Sequence, residues 1–147
     1  MTIRQPWILP DGVDELLPES AAQLECLRRQ LLTHFDSWAY DLVFPPLVEF
    51  VDALAVGAGQ DLAIQTYQVI DHLSGRPLGF RPDITAQAAR MDARYMSHLP
   101  VNRLCYCGSI VLARSTHLQA KRAQVQAGVE LFGHSGPESD LEVMSVM

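Results

Sequence analysis

The chain has 147 residues, and its 11 lysines and arginines against 17 acidic residues give a formal charge of −6. Hydrophobic residues make up 48% of the sequence and charged residues 19%, which supplies a folded core and excludes general disorder. Because nucleic-acid binding depends on clustered lysine and arginine, the acidic balance argues against a non-specific nucleic-acid binder. The length predicts one domain over residues 1–147.

The sequence predicts neither a membrane-spanning segment nor a signal peptide. No stretch approaches the roughly 18 consecutive apolar residues that span a bilayer, and residues 1–10 lack the apolar run of a signal peptide. We therefore expect a cytoplasmic protein. Three cysteines, an odd number, argue against a disulfide framework. Residues 139–147 have the composition of an opening helix without a stop signal, so we expect the chain to be a fragment of a longer protein.

The first predicted helix is marked by apolar side chains that recur every three or four residues. That stripe comprises Leu24, Leu27, Leu31, Phe35 and Trp38. The spacing places these side chains on one helical face, so it predicts a helix from about residue 19 to residue 38 that packs through this face.

Short extended segments follow that helix. Asp41–Phe44 is apolar enough for a strand, and Leu47–Phe50 continues extended. Pro45 and Pro46 separate the two segments, and because proline has no backbone N–H, they mark a sheet edge or a joint between strands. Val51–Val56 is then predicted as a short helix.

The middle of the chain predicts a hairpin, a helix and a strand. Gln65–Asp71 and Leu78–Arg81 flank a turn at Ser74-Gly75, which is the pattern of a β-hairpin. Apolar positions three and four residues apart predict a helix over residues 84–96. Val101–Cys107 is predicted as a strand.

The most regular segment is Ala123–Phe132, in which apolar and mainly polar residues alternate. The apolar positions are Ala123, Val125, Ala127, Val129 and Leu131. A period of two predicts an antiparallel strand with one buried face and one mostly polar face. Helices mixed with hairpin-like strands favour an α+β fold built on an antiparallel sheet.

The polar face of this strand is a candidate ligand floor. Gln126 and Glu130 are four residues apart on it, so their Cα atoms lie about 13 Å apart at roughly 3.3 Å per residue. Gly128 lies between them and is predicted to leave a hollow for a small molecule. An amide at one end and a carboxylate at the other suit an amine or an imidazole. The alternative is a solvated sheet face with a bulge glycine.

A second candidate lies at a strand-to-helix junction. Asp83 and Thr85 place a carboxylate and a hydroxyl where they could meet the ammonium group of a ligand. The alternative is that Asp83 is an ordinary N-cap of the following helix. Cys105 and Cys107 share one face of a strand without a second cysteine pair, so they are predicted to be core residues and no metal site is predicted.

Four separated segments, in order, resemble the histidyl-tRNA synthetase family of class II synthetases. They are Leu9–Pro18, Phe44–Glu49, Phe80–Thr85 and Tyr106–Gly133. The second resembles class II motif 1, the third resembles the segment that holds the amino acid, and the fourth resembles motif 2 and the strand after it. The resemblance runs from about residue 9 to residue 143. It implies the N-terminal part of one class II synthetase-like α+β domain, an antiparallel sheet flanked by helices, incomplete at the C-terminus.

The resemblance also implies an amino-acid site. Asp83 and Thr85 match family positions that hold the α-ammonium end of histidine, although the family usually has glutamate where this chain has Asp83. Gln126 and Glu130 match positions of the family's histidine pocket. The implied histidine-binding residues are therefore Asp83, Thr85, Gln126 and Glu130.

The ATP side of the site departs from the family pattern. The motif 2 arginine that clamps the α-phosphate of ATP falls at Leu112, and the glutamate near the adenine falls at Arg114. Leucine can neither pair with phosphate nor stabilise the charge of an adenylating transition state. The departures imply a protein with no catalytic residue here and no cofactor.

A histidine-binding fold without ATP chemistry resembles the regulatory subunits of ATP phosphoribosyltransferase, which are synthetase paralogues. This resemblance implies a non-catalytic subunit that works with the short catalytic subunit in the first step of histidine biosynthesis and senses L-histidine. It also implies a homodimer, formed around motif 1 at Pro45-Pro46, within a hetero-oligomer. The alternatives are a histidyl-tRNA synthetase fragment, a purely structural pseudo-synthetase assembly module, and a stand-alone class II amino-acid ligase.

Overall fold

The computed structural model describes residues 7–56, 64–114 and 121–147. The elements in this part of the chain are α1 (Pro18–Ser37), β1 (Asp41–Leu42), β2 (Val48–Phe50), α2 (Val51–Leu54), β3 (Tyr67–Ile70), β4 (Pro77–Phe80), α3 (Thr85–Met91), β5 (Asn102–Val111), β6 (Ala123–Phe132) and α4 (Pro137–Val146). Helix α3 continues as a π-helical turn over Asp92–Met96. Among the described residues, no helix has the length and apolar character needed to cross a membrane.

Helix α1 begins and ends within one residue of its predicted bounds. Pro18 occupies its first turn, where the missing N–H is harmless because the first N–H groups of a helix have no intrahelical partner. Phe35, a member of the predicted apolar stripe, is 2% exposed and lies in a core cluster. The other buried members of that cluster are Tyr40, Cys105, Val129 and Val146. Phe35 and Leu31 therefore pack α1 against the sheet and against α4, whereas Leu27 and Trp38 of the predicted stripe are exposed.

The strands form two three-stranded sheets. In one, the order is β1-β5-β6, with β1 parallel to β5 and β6 antiparallel to it. In the other, β4 lies between β2 and β3 and both pairs are antiparallel. The α+β class predicted from the sequence is confirmed. The parallel β1–β5 pair and the division into two sheets were not foreseen, because strand pairing depends on partners far away in the chain.

Strand β1 is shorter than predicted. It covers Asp41–Leu42 instead of Asp41–Phe44. The Val43 N–H still donates to the carbonyl of Cys105 at 2.9 Å, and the next two residues bring the chain to Pro45, which has no N–H for the ladder. The predicted proline joint between two extended segments is therefore confirmed.

The predicted hairpin is formed by β3 and β4. Its turn is held by the carboxylate of Asp71, which accepts hydrogen bonds from the N–H groups of Leu73 and Ser74 and from the Ser74 hydroxyl. Gly75 adopts a φ of 69° in this turn, a left-handed conformation that glycine adopts without steric cost. The Ser74-Gly75 pair thus sets the turn, as predicted.

The two faces of the β5–β6 ladder receive different helices. Cys105 and Val129 face α1 and α4, whereas Tyr106 and Ile110 pack with Ile84 and Ala88 around α3. Val125 departs from the predicted buried face and is 43% exposed, because it lines a groove that is open to solvent beside α1. The prediction that Cys105 and Cys107 are core residues is confirmed.

Helix α4 is held onto the sheet by a polar cluster around Glu142. Arg103 donates to both carboxylate oxygens, from Nε at 2.6 Å and from Nη2 at 2.8 Å, and the Tyr40 hydroxyl donates to Oε1 at 3.1 Å. The hydrogen bonds from Arg103 hold the pKa of Glu142 below its ordinary value. Burial, helped by the Glu142 carboxylate, raises the pKa of Tyr40 to about 12. The cluster therefore depends on Glu142 being ionised.

Replacing Glu142 with glutamine is expected to lower the free energy of unfolding by ~1 kcal/mol near neutral pH. Because the folded-state pKa of Glu142 is depressed, its contribution is present above the unfolded-state pKa and is lost as the pH falls through the folded-state pKa. Urea unfolding of the full-length natural protein near pH 7 and below about pH 4 measures this difference. The exposed Glu15→Gln variant is the control, and an equal loss from Glu142→Gln at both pH values would contradict the expectation.

Candidate functional site

The four predicted site residues meet on the face of the β5–β6 ladder that α3 covers. The link between β6 and the start of α3 is the Gln126 amide. Its Nε2 donates to Asp83 Oδ1 at 2.6 Å, and its Oε1 accepts the backbone N–H of Ile84 at 2.9 Å. One side chain therefore binds the turn before α3 through both ends of its amide group.

The alternative interpretation of Asp83 as an N-cap is wrong. The residue at the N-cap of α3 is Ile84, and no side chain caps that helix. The Asp83 carboxylate instead accepts the amide of Gln126, which lies on another element. Asp83 is consequently turned toward the site face of β6, where it is partly exposed.

Thr85 and Glu130, the second pair of predicted residues, are linked by Tyr106, which the sequence did not indicate as a site residue. Tyr106 lies on β5, and its hydroxyl donates to Glu130 Oε1 at 3.1 Å. The same hydroxyl lies 3.1 Å from Thr85 Oγ1. Because the tyrosine proton is used on the carboxylate, the Thr85 hydroxyl is the donor in the other bond. Thr85, Tyr106 and Glu130 thus form one directed chain of hydrogen bonds.

The protonation of this chain follows from its burial. Tyr106 is 4% exposed, and burial raises its pKa to about 12, so the hydroxyl stays a donor near neutral pH. Burial also raises the pKa of Glu130, and the charge of Asp83 acts in the same direction. The Thr85 and Tyr106 hydroxyls oppose that rise because they stabilise the carboxylate.

The prediction of a hollow above Gly128 is wrong. In the β5–β6 register Gly128 lies directly opposite Tyr106. A Cβ atom at Gly128 would lie 2.7 Å from the Tyr106 hydroxyl oxygen and 2.8 Å from Cζ. The tyrosine ring therefore fills the space over the glycine. The signal that could have revealed this is the cross-strand pairing of Tyr106 with Gly128, because an aromatic ring often covers a glycine on the neighbouring strand.

An adjoining buried network holds the turn that carries Asp83. The Arg81 guanidinium, in a residue that is 6% exposed, donates from Nε to the Ser109 carbonyl at 2.8 Å and from Nη1 to the Pro45 carbonyl at 2.7 Å. Burial lowers the pKa of Arg81. Arg81 thereby ties the turn to β5 and to the proline joint.

Gln87 and Glu49 extend that network toward α2. The Gln87 amide donates to the Pro46 carbonyl at 2.8 Å and to Glu49 Oε1 at 2.9 Å. Glu49 also forms an ion pair with Arg90, whose guanidinium donates to both carboxylate oxygens. The helix α3 is consequently fixed to the proline joint from one side and to the site residues from the other.

Leu112 and Arg114 follow the end of β5. Leu112 pairs with Thr66 across an isolated β-bridge, and its N–H donates to the Arg122 carbonyl at 2.8 Å. The guanidinium of Arg122 donates to the carbonyls of Leu112 and Ala113. Arg114 is exposed. Leu112 thus carries an aliphatic side chain on a backbone that is held by hydrogen bonds to Arg122.

The four predicted residues form a polar patch that is open to solvent at Thr85 and not an enclosed cavity. A groove of about 630 Å³ lies elsewhere, between the segment that enters α1 and the far end of β5–β6. None of the four residues lines it. Within the residues that the structure describes, no group of three or more His, Cys, Asp or Glu is placed to hold a metal ion.

Comparison with known proteins identifies the family of this chain. Residues 12–147 match the family described as histidyl-tRNA synthetase. The chain is 52% identical over 147 residues to the "ATP phosphoribosyltransferase regulatory subunit" of Marinomonas sp. (strain MWYL1), covering 100% of this chain and 38% of that protein. It is also 52% identical over 140 residues to the protein of the same name from Alkalilimnicola ehrlichii, covering 95% of this chain and 35% of that protein.

A solved structure gives the same match in three dimensions. It is an "ATP phosphoribosyltransferase regulatory subunit/histidyl-tRNA synthetase" from Bacillus halodurans, with a TM-score of 0.85 and 27% identity. The match covers 100% of this chain and 38% of that chain. The chain therefore spans little more than a third of the length of its relatives.

Proposed function

The chain belongs to the histidyl-tRNA synthetase family, and we propose that it is part of a non-catalytic regulatory subunit of ATP phosphoribosyltransferase that binds L-histidine. The observation that carries the proposal is that the four predicted site residues lie in two hydrogen-bonded groups on one face of the sheet. Gln126 binds Asp83 and the Ile84 N–H, and Tyr106 links Thr85 to Glu130. The name shared by relatives at 52% identity supports it.

The chemistry of the site suits the two nitrogen-bearing ends of histidine. An ammonium group and an imidazole ring both present N–H donors, and the site offers two carboxylates, two hydroxyls and an amide. In the proposal, Asp83 and Thr85 receive the ammonium end, and Gln126 and Glu130 receive the imidazole. Tyr106 orients Glu130 through the hydroxyl bond at 3.1 Å.

Leu112 supports the non-catalytic part of the proposal. An aliphatic side chain offers no hydrogen bond or charge to a phosphate, so amino-acid binding at this site proceeds without adenylation. The subunit then acts on a separate, short catalytic subunit by binding histidine better in one assembly state than in another. The proposal includes a homodimer formed around the proline joint, where Phe44 is 69% exposed and Leu47 is exposed while Pro45 is buried.

Replacing Glu130 or Gln126 with alanine is expected to weaken histidine binding by about tenfold to a hundredfold, because each variant loses a hydrogen bond to a charged or desolvated group. The measurement is a calorimetric titration of L-histidine into the full-length natural protein without ATP. Size-exclusion chromatography with the short catalytic subunit measures assembly, which is expected to survive.

The matched control is Gln124→Ala, an exposed glutamine on the same strand. It is expected to bind histidine like the natural protein. Unchanged affinity in Glu130→Ala would overturn the assignment of the site. The absence of any histidine binding in the unmodified protein would favour a purely structural assembly module.

A further inference from the structure

The candidate site concentrates negative charge without a compensating cation among the described residues. The ion pairs in this part of the chain involve neither Asp83 nor Glu130. The Arg81 guanidinium is directed at the carbonyls of Pro45 and Ser109. Burial and the nearby Asp83 charge both raise the pKa of Glu130, and a bound cation relieves the cost of ionising that carboxyl group.

The groups that face Glu130 come from three elements. Tyr106 of β5 donates to it, Thr85 of α3 lies behind that hydroxyl, and the Asp83 charge acts on it from the turn before α3. Leu104 is its direct neighbour across the ladder. Farther along this face the Asp92 carboxylate accepts the amide of Asn102 at 2.5 Å. Tyrosine and threonine stay neutral near pH 7, so the charge that faces a ligand is that of the carboxylates.

We propose that this site binds histidine with its imidazole ring protonated, the imidazolium ring on Glu130 and the ammonium group on Asp83, so that binding near neutral pH takes up one proton. The inference rests on the proposed function, and it adds the protonation state of the ligand and a pH dependence of sensing. The proton comes from the solvent and forms an N–H bond at the ring nitrogen lone pair. No protein group gives up a proton in the step.

The direction of the pH dependence follows from the two states of the ligand. The imidazole of free histidine titrates near pH 6.5. Contact with a carboxylate raises that pKa in the bound state. Between the two pKa values binding takes up a proton, so affinity rises as the pH falls. At lower pH still, protonation of Glu130 removes the attraction and affinity falls again.

Calorimetry of the full-length natural protein with L-histidine tests the proposal. Titrations near pH 7.5 in phosphate and in Tris, which differ in ionisation enthalpy, give the number of protons taken up, and we expect about one. The dissociation constant is expected to fall by about threefold to tenfold between about pH 8 and pH 7. Glu130→Gln keeps the shape of the side chain and is expected to reduce both the proton uptake and the pH slope to near zero.

A ligand analogue makes the test independent of the variant. The alanine derivative of 1,2,4-triazole has the size of histidine but a ring that stays neutral, and it is expected to bind at least about tenfold more weakly with no proton uptake. Glu15→Gln, an exposed carboxylate outside the site, is expected to leave every value unchanged.

The outcomes separate this inference from the proposed function. Histidine binding without proton uptake and without a pH slope would overturn the inference and leave the proposed function standing. Equal affinity for histidine and the triazole analogue would overturn it in the same way. A complete lack of histidine binding would overturn both.

Discussion

Replacing Arg81 with alanine is expected to lower the free energy of unfolding by about 3 to 5 kcal/mol, because the change removes a buried cation and leaves its acceptors unpaired. Those acceptors are the carbonyls of Ser109 and Pro45 and the side-chain oxygen of Gln87. A loss of that size is a large part of the 5 to 15 kcal/mol that is typical of a folded protein. Urea unfolding of the full-length natural protein measures it.

Two further variants locate the cause of this loss. Arg81→Lys keeps the charge, but a single ammonium group cannot reproduce the planar guanidinium fork that reaches both carbonyls, so it is expected to rescue little. Arg76→Ala removes an arginine whose ion pair with Asp52 is exposed, and it is expected to cost less than about 1 kcal/mol. Full rescue by lysine would show that the charge and not the geometry matters.

Replacing Gly128 with valine is expected to weaken histidine binding by at least about tenfold and to lower the free energy of unfolding by about 1 to 3 kcal/mol. The added Cβ would come within 3.0 Å of the ring of Tyr106, which therefore has to leave its place. Its displacement breaks the hydroxyl bonds to Thr85 and Glu130. Calorimetric titration with L-histidine and urea unfolding of the full-length protein give the two values.

A double-mutant cycle isolates the crowding at Gly128. Tyr106→Ala removes the ring, so the added cost of Gly128→Val in that background is expected to be small. Tyr106→Phe keeps the ring and removes only the hydroxyl, and it is expected to weaken histidine binding less than Gly128→Val does. If Gly128→Val lowers histidine affinity and the free energy of unfolding as much in the Tyr106→Ala background as in the natural protein, crowding against Tyr106 is not the cause.

Regular local patterns made the secondary structure predictable. The apolar stripe predicted α1 to within one residue at each end, and the alternation over Ala123–Phe132 predicted both ends of β6. The hairpin of β3 and β4 followed from its Ser74-Gly75 turn. In each case neighbours in the chain carry the whole signal, since helix and strand periods are local properties.

The site was only partly predictable. Spacing and the family resemblance selected Asp83, Thr85, Gln126 and Glu130, and the structure brings these residues together. Tyr106 was missed because its role depends on which residue of β6 lies opposite it. The hollow at Gly128 was wrong for the same reason: an empty position in one strand is filled from the neighbouring strand.

The amino-acid sequence by itself determined the α+β class, the bounds of α1 and β6 and the identity of the residues on the polar face of β6. Only the tertiary structure decided that Arg81 is buried and that Val125 is exposed. It also decided that Asp83 accepts a hydrogen bond from Gln126 of β6 instead of capping α3. These outcomes depend on the β5–β6 register and on the docking of α3. Hydrogen bonds and burial between distant segments arise only when those segments pack, so no local pattern in the chain encodes them.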